Sequence, residues 1–447
     1  MKKTLLLFVL FISVTFLKAQ SVQITGKIIS ERRPDEIVIM SIVDGITSVI
    51  SSSVPSADGS VGFCFTPDYE GFYLIGSRKN LSPQFPIYIK GGENFNVIIN
   101  DKKIQYLGKL SVENIIVAQW VEMSQVVAEK SHYWQSSRSI YEDFFPDLEA
   151  LAAKVPSFTD GIKTKNTKFN NLMKDYVNFS TDYYALYFLR VPRSKHPMKS
   201  DMSGFYGKIK KVNNFPNDNV LNIPFGQRYL SLYVNFVTET TKDLNEQISV
   251  LSTDKQKAEH LLNDVLLRMK SYDLYQDFVE NYGNYFKTEK HRIALEDIGA
   301  KLYETKAGGA AADFTYPDIN GKSVSLSDFK GKVVLVDVWA TWCGPCKQQI
   351  PFAKKLEEEL HGMDVVFLNV SVDEEKDKEK WKQMVIDEKL GGVHIFAGGW
   401  SKICKDYKIT GIPRFMLFDK NGNIITTEAP RPSDPELKAL IMKYLKK

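Results

Sequence analysis

Cysteine is scarce in this chain, with four in 447 residues, and that scarcity excludes a disulfide-rich scaffold. Histidine is scarce too, and His132, His196, His260, His291 and His361 are scattered without the spacing of a metal site. An excess of one charge is also missing. Lys and Arg total 58 against 54 Asp and Glu, a formal charge of +4. Three of those positives, Lys2, Lys3 and Lys18, lie in the first nineteen residues, so the remainder carries 4 − 3 = +1. A nearly neutral body gives no electrostatic case for a nucleic-acid partner. No clear internal repeat occurs, and past the N-terminus no apolar run is long enough to span a bilayer. What is present is a globular balance, 43% apolar and 25% charged, which excludes a mainly disordered chain. The length predicts two to four domains.

The N-terminus reads as an export signal, residues 1–19. Met1-Lys2-Lys3 is a basic start, Thr4 to Phe16 an apolar run, and Leu17-Lys18-Ala19 a cleavage site. The run is about 13 residues, short of the ~18 that a membrane anchor needs. No Cys follows it, so a lipid anchor is not expected. The expected location is the periplasm or cell envelope, an oxidising compartment.

Three further parts are expected. Residues 20–110 read as a β-rich domain, a small antiparallel sandwich. Ile87 and Ile89 alternate with other residues, as do Phe95, Val97 and Ile99, and Gly91-Gly92 between them reads as a hairpin turn. Asp58-Gly59 precedes the alternating Val61, Phe63 and Phe65. Residues 111–305 read as helical, with Leu261, Val265 and Met269 on one face beside Leu262 and Leu266. Leu295, Ile298 and Leu302 repeat the pattern. Tyr183, Tyr184, Tyr187 and Phe188 read as core, with a ligand groove as the alternative. Residues 306–312, KAGGAAA, read as a linker. Residues 313–447 alternate strands and helices. Val333–Val338, Val365–Val372 and Phe415–Phe418 are buried strands, Asn421-Gly422 a turn, and Leu437, Leu440, Ile441, Tyr444 and Leu445 one face of a closing helix. This predicts an α/β domain with a sheet covered on both faces.

The chemistry centres on Trp342-Cys343-Gly344-Pro345-Cys346. A Cys at a helix start faces unpaired backbone N–H groups and the positive end of the helix dipole, which lowers its pKa. The second Cys lies one turn on, within reach of a mixed disulfide. Cys343 is therefore the expected nucleophile and Cys346 the resolving thiol. A zinc pair is the alternative, but a structural site needs four ligands and only Cys404 and His394 could be added. A purely structural disulfide closed over two residues adds little stability. Cys404, beside Trp400, Ile403 and Tyr407, reads as a buried small hydrophobe with a third redox thiol as the alternative. Cys64 reads as inert.

WATWCGPC, residues 339–346, resembles the active-site signature of the thioredoxin superfamily. Asp337 stands six before Cys343, where the family carries a buried acid, and Pro351 stands at the family's helix kink. Ile412-Pro413 resembles its cis-proline. The segment 313–332 and a helical stretch at 377–390 resemble the exported TlpA/ResA-type thiol-disulfide oxidoreductases rather than plain thioredoxin. Residues 20–305 resemble, less closely, accessory regions of Bacteroidetes envelope proteins. Two positions depart from the TlpA/ResA pattern: Gln349 replaces a frequent Glu, and Asp337 replaces the usual Asn. Where thioredoxin pairs its acid with Lys, this chain has Asn369.

The resemblance implies a protein disulfide reductase with no cofactor and no metal. Cys343 and Cys346 would form the redox-active disulfide, and Asp337 would exchange a proton with Cys346. Pro413 would face the disulfide, while Trp342, Gly344, Pro345 and Ile412 would shape the substrate face. Client proteins with disulfides and a membrane thiol electron donor are the implied partners, and cytochrome c maturation is one family role. Gly-Pro between the cysteines resembles reductases, as thioredoxin's potential near −270 mV compares with about −180 mV for disulfide isomerase. A peroxiredoxin-like peroxidase would need Thr or Ser where Ala340 stands. An envelope scaffold with a secondary redox domain is the other alternative.

Overall fold

A computed structural model of the chain describes residues 20–446, apart from 31–33, 79–83, 101–102, 133–137 and 212–214. The expected export signal, residues 1–19, lies outside the described residues. The chain divides into two compact units, residues 1–260 and 261–447.

The first unit opens with eight strands. They are β1 (Val22–Ile29), β2 (Ile37–Val43), β3 (Ile46–Ser53), β4 (Ser60–Phe65), β5 (Gly71–Ser77), β6 (Gln84–Ile89), β7 (Asn94–Asn100) and β8 (Ile104–Leu107). Two sheets result, ordered β4-β1-β7-β8 and β3-β2-β5-β6. In β7 only Phe95, Val97 and Ile99 of the alternating sequence are fully buried, as one covered face requires. β5 is buried throughout, because both faces of its sheet are covered. Ile39, Ile75 and Ile87 pack against Ile24, Val61 and Val97 of the first sheet. On the opposite face Ile42, Phe72 and Tyr88 meet Trp120, Phe169 and Tyr176.

Those last residues belong to the helices α1 (Val112–Ser131), α2 (Tyr141–Gly161) and α3 (Thr167–Arg190), followed by α4 (Gly204–Lys210), α5 (Gly226–Val237) and α6 (Leu244–Ser249). Ser111 caps α1, its hydroxyl accepting from the N–H of Asn114. The Asn114 amide then bonds both the N–H and the carbonyl of Tyr88 at 2.8 Å, tying α1 to the edge strand β6. Tyr183, Tyr187 and Phe188 are buried in the helical core.

Two expectations for the β domain need correcting. The sandwich is not purely antiparallel, because β1 pairs parallel with β7. Gly91-Gly92 does not close a hairpin, since β6 and β7 belong to different sheets. Both glycines have positive φ, 106° and 80°, and the Glu93 carboxylate accepts from the N–H of Lys90 and Gly91. The turn therefore redirects the chain from one sheet to the other.

Across the division runs α7 (Asp254–Asp264), then α8 (Tyr272–Tyr282) and α9 (Glu289–Tyr303). The single helical face expected from Leu261 to Met269 is broken. α7 ends at Asp264, and a 3₁₀ turn over Leu266–Arg268 buries Leu266 and exposes Leu267.

The remaining elements are β9 (Thr315–Pro317), β10 (Ser323–Ser325), β11 (Val333–Trp339), α10 (Gly344–Glu359), β12 (Val365–Ser371), α11 (Lys378–Asp387), β13 (Val393–Phe396), α12 (Lys402–Asp406), β14 (Arg414–Phe418), β15 (Ile424–Thr426) and α13 (Pro435–Leu445). They build a sheet ordered β13-β12-β11-β14-β15. β11 is parallel to β12 and antiparallel to β14. Val334, Val336 and Val338 face one core with Trp381 and Phe396. Val333 and Leu335 face the other, with Leu356 of α10, its C-cap Leu360, and Leu437 and Ile441 of α13. This is the thioredoxin-like α/β fold, with helices on both faces of the sheet.

Residues 306–312 have no regular secondary structure but are held. The N–H of Gly308 donates to the Ile424 carbonyl at 2.7 Å, and the N–H of Ile424 donates to Gly309 at 2.8 Å. Further on, Asp318 forms a bridge with Ile395 of β13.

Candidate active site

The apolar run of β11 ends at Trp339, and α10 begins five residues later at Gly344. Cys343 is the N-cap of α10 and Pro345 stands in its first turn, where a missing N–H costs nothing. Cys343 and Cys346 form a disulfide with a Cα–Cα distance of 5.3 Å. The Cys343 Sγ accepts from the N–H of Cys346 at 3.1 Å. When the disulfide is reduced, that donor and the helix dipole favour the Cys343 thiolate. Both cysteines are buried, whereas Trp342 between them and the strand is 55% exposed and Gly344 and Pro345 are exposed.

Asp337 follows Val333 and Leu335 on the face of β11 that lies beneath α10. Its Oδ1 is shielded from water and has no hydrogen-bond partner. Burial raises its carboxyl from the ordinary 3.8 to about 7. Asn369 stands beside it on β12 and His394 beside Asn369 on β13. The Asn369 amide donates to the Gly391 carbonyl at 3.3 Å and not to a carboxylate. Burial lowers the His394 pKa, so neither neighbour supplies Asp337 with a positive charge.

The Ile412–Pro413 peptide is cis. Arg414 follows it opposite Val338, so the two residues lie beyond the end of β11 from which the chain enters the Cys343 turn. Ile412 packs against the core that contains both cysteines. Gln349 is buried on α10 and its Oε1 accepts from the N–H of Ser433 at 3.1 Å.

Two residues at the site escaped the reading of the sequence. Asp373, fully buried, accepts from the N–H and the hydroxyl of Thr341, the latter at 2.7 Å, and from the Ser371 hydroxyl at 2.8 Å. It fixes the turn two residues before Cys343. Arg414 is buried with its guanidinium bonded to Glu428, and its Nε and Nη2 have no partner. The Asp after Ser371-Val372 at a strand's end was the only available signal for the first.

The other cysteines stand apart from this pair. Cys404 is buried, and burial pushes its thiol up to about 11. Cys64 is exposed and unpaired. Among the described residues no group of His, Cys, Asp and Glu could hold a metal ion. No described helix is long and apolar enough to cross a membrane.

Residues 306–441 match the Redoxin family. The chain is 31% identical over 148 residues to the thiol-disulfide oxidoreductase ResA of Bacillus cereus, covering 33% of this chain and 82% of that protein. It is 38% identical over 135 residues to the thioredoxin-like protein YneN of Bacillus subtilis, covering 28% of this chain and 78% of that one. A solution structure of a candidate thiol-disulfide oxidoreductase from Bacteroides vulgatus is 43% identical, with 31% of this chain and 91% of that chain covered and a TM-score of 0.29. Through its C-terminal domain the chain belongs to the TlpA/ResA-type thiol-disulfide oxidoreductases of the thioredoxin superfamily.

Proposed function

We propose that this protein is exported to the periplasm or cell envelope and reduces disulfides in client proteins. The observation that carries the reading is the Cys343–Cys346 pair at the start of α10, with the Cys346 N–H directed at the Cys343 sulfur.

The Cys343 thiolate attacks one sulfur of a client disulfide, forming a mixed disulfide and releasing the other sulfur as a thiolate that takes a proton from water. Cys346 then passes its proton to the Asp337 carboxylate and attacks the Cys343 sulfur. The client's second sulfur leaves as a thiolate that takes a proton from water, so the client departs as a dithiol, and the enzyme is left oxidised with Asp337 protonated until it returns that proton to solvent. A carboxyl titrating near 7 accepts that proton near neutral pH. Trp342, Gly344, Pro345, Ile412 and Pro413 form the face met by the client. Recharging requires a dithiol donor, for which a membrane thiol protein fits an exported enzyme. Cytochrome c maturation is one role within the family's range.

Insulin reduction by the full chain, driven by dithiothreitol, tests the reading. Cys343→Ser should abolish catalysis, and Cys346→Ser should accumulate mixed disulfides with clients in cells. Full activity in Cys343→Ser would refute it.

A further inference from the structure

The first unit contains a cleft of about 1270 Å³. Small-molecule pockets span roughly 300–1,000 Å³, so this one is large enough for part of a polymer. Among the described residues it is lined by the β2–β3 hairpin, β8, α1, α3 and the start of α5.

Three observations indicate what fits. The first is a cation without an acid. Arg228 lines the cleft, its guanidinium 5.6 Å from the centre of the Tyr187 ring. Tyr183 and Tyr187 both hydrogen-bond it, and among the described residues no carboxylate forms an ion pair with it. Across the Tyr187 ring, 4.5 Å away, lies His132. Burial above all, with Arg228 and Arg193 adding, pushes His132 down to about 4 and keeps it neutral. Glu129, also on the cleft, is occupied by the Gln125 amide at 2.7 Å.

The second is an open strand edge. Among the described residues β8 ends its sheet and pairs only with β7, and all four of its residues line the cleft. Such an edge presents unpaired N–H and carbonyl groups to an added strand. The third is an aromatic wall beside an unused donor. Tyr183 stacks on Phe225 at 4.5 Å, and the Gln227 Nε2 is buried without a partner.

We propose that this cleft binds an extended, carboxylate-bearing peptide segment, its backbone added to β8 and its carboxylate taken by Arg228. The inference stands apart from the dithiol chemistry, because a chain that reduces insulin but binds no peptide here would overturn it alone.

Fluorescence anisotropy on the full oxidised chain tests it with fluorescein-labelled Thr-Val-Thr-Val-Phe. The probe is used as the free acid, as the C-terminal amide, and as an amide with Glu in place of Phe. At least one carboxylate peptide should bind saturably and at least tenfold more tightly than the neutral amide, and which one does so identifies the carboxylate's source. Arg228→Gln should remove that tenfold difference without changing the melting temperature or the affinity of the neutral amide. Equal binding of all three peptides, or no saturable binding at millimolar peptide, would overturn the proposal. So would a carboxylate preference that survives in Arg228→Gln, or competition by free phenylalanine as effective as that of the peptide.

Discussion

Two carboxylates serve the region around the dithiol, and their surroundings are opposite. Asp373, just past the end of β12, receives three donors from Thr341 and Ser371. Asp337, within β11, has an Oδ1 that receives none. A carboxylate saturated with donors holds backbone in place, and one left bare in an apolar strand is prepared to take up and release a proton. The domain thus supplies one acid with three donors and leaves the Oδ1 of the other with none.

The comparison can be broken most forcefully at Asp373. Asp373→Ala leaves the Thr341 N–H and two hydroxyls buried without their acceptor. It should cost about 3 kcal/mol of stability by urea denaturation and slow insulin reduction at least tenfold. Unchanged stability would show that the donors find other partners.

Asp337→Asn should act in the opposite direction on stability. With a folded pKa near 7 against an ordinary 3.8, the carboxyl's contribution is complete below about pH 4 and lost as pH rises through 7. Above pH 8 the native protein holds an anion whose Oδ1 is shielded from water, so Asn should stabilise it there by on the order of 2–4 kcal/mol and leave it unchanged at pH 4. Single-turnover reduction should slow near neutral pH and recover at higher pH. Superimposable rate profiles from pH 6 to 9 would make Asp337 structural only.

Thr341→Val sharpens the first half of the comparison. It deletes one of three donors and keeps the backbone N–H, so it should cost about 1 kcal/mol by the same denaturation. The smallest effect belongs to Cys404→Ser. Its thiol, pushed up to about 11, should resist alkylation at neutral pH, and its replacement should leave insulin reduction unaltered.

Much of the C-terminal domain could be read in advance, because β11, β12 and β14 are buried on both faces and appear as near-continuous apolar runs. The two cysteines and Asp337 share one strand–turn–helix segment, so their arrangement is local. Asp373 is not local to it. It lies 32 residues from Thr341, in a segment whose acids continue as Glu374 and Glu375, and only the parallel pairing of β11 with β12 brings the two together. In the first unit, alternation located strands but not their partners. A glycine pair marks a change of direction whether the chain returns beside itself or crosses to the other sheet, and Gly91-Gly92 does the second. The apolar residues around Leu266 fit a helix by spacing, but burial of Leu266 is achieved with a tighter turn.

The segment that enters the C-terminal sheet also governs how that sheet meets other molecules. β15 and β13 are its two outermost strands. Residues 308 and 309 bond to β15, and ten residues later Asp318 bridges to β13. One short stretch therefore touches both margins of a five-stranded sheet. Uncovered margins recruit strands from neighbouring copies. A version of the domain trimmed to begin after Asp318 would keep its dithiol and most of its core, yet present two bare borders. Self-association of the trimmed domain, read by its sedimentation, is the expected outcome.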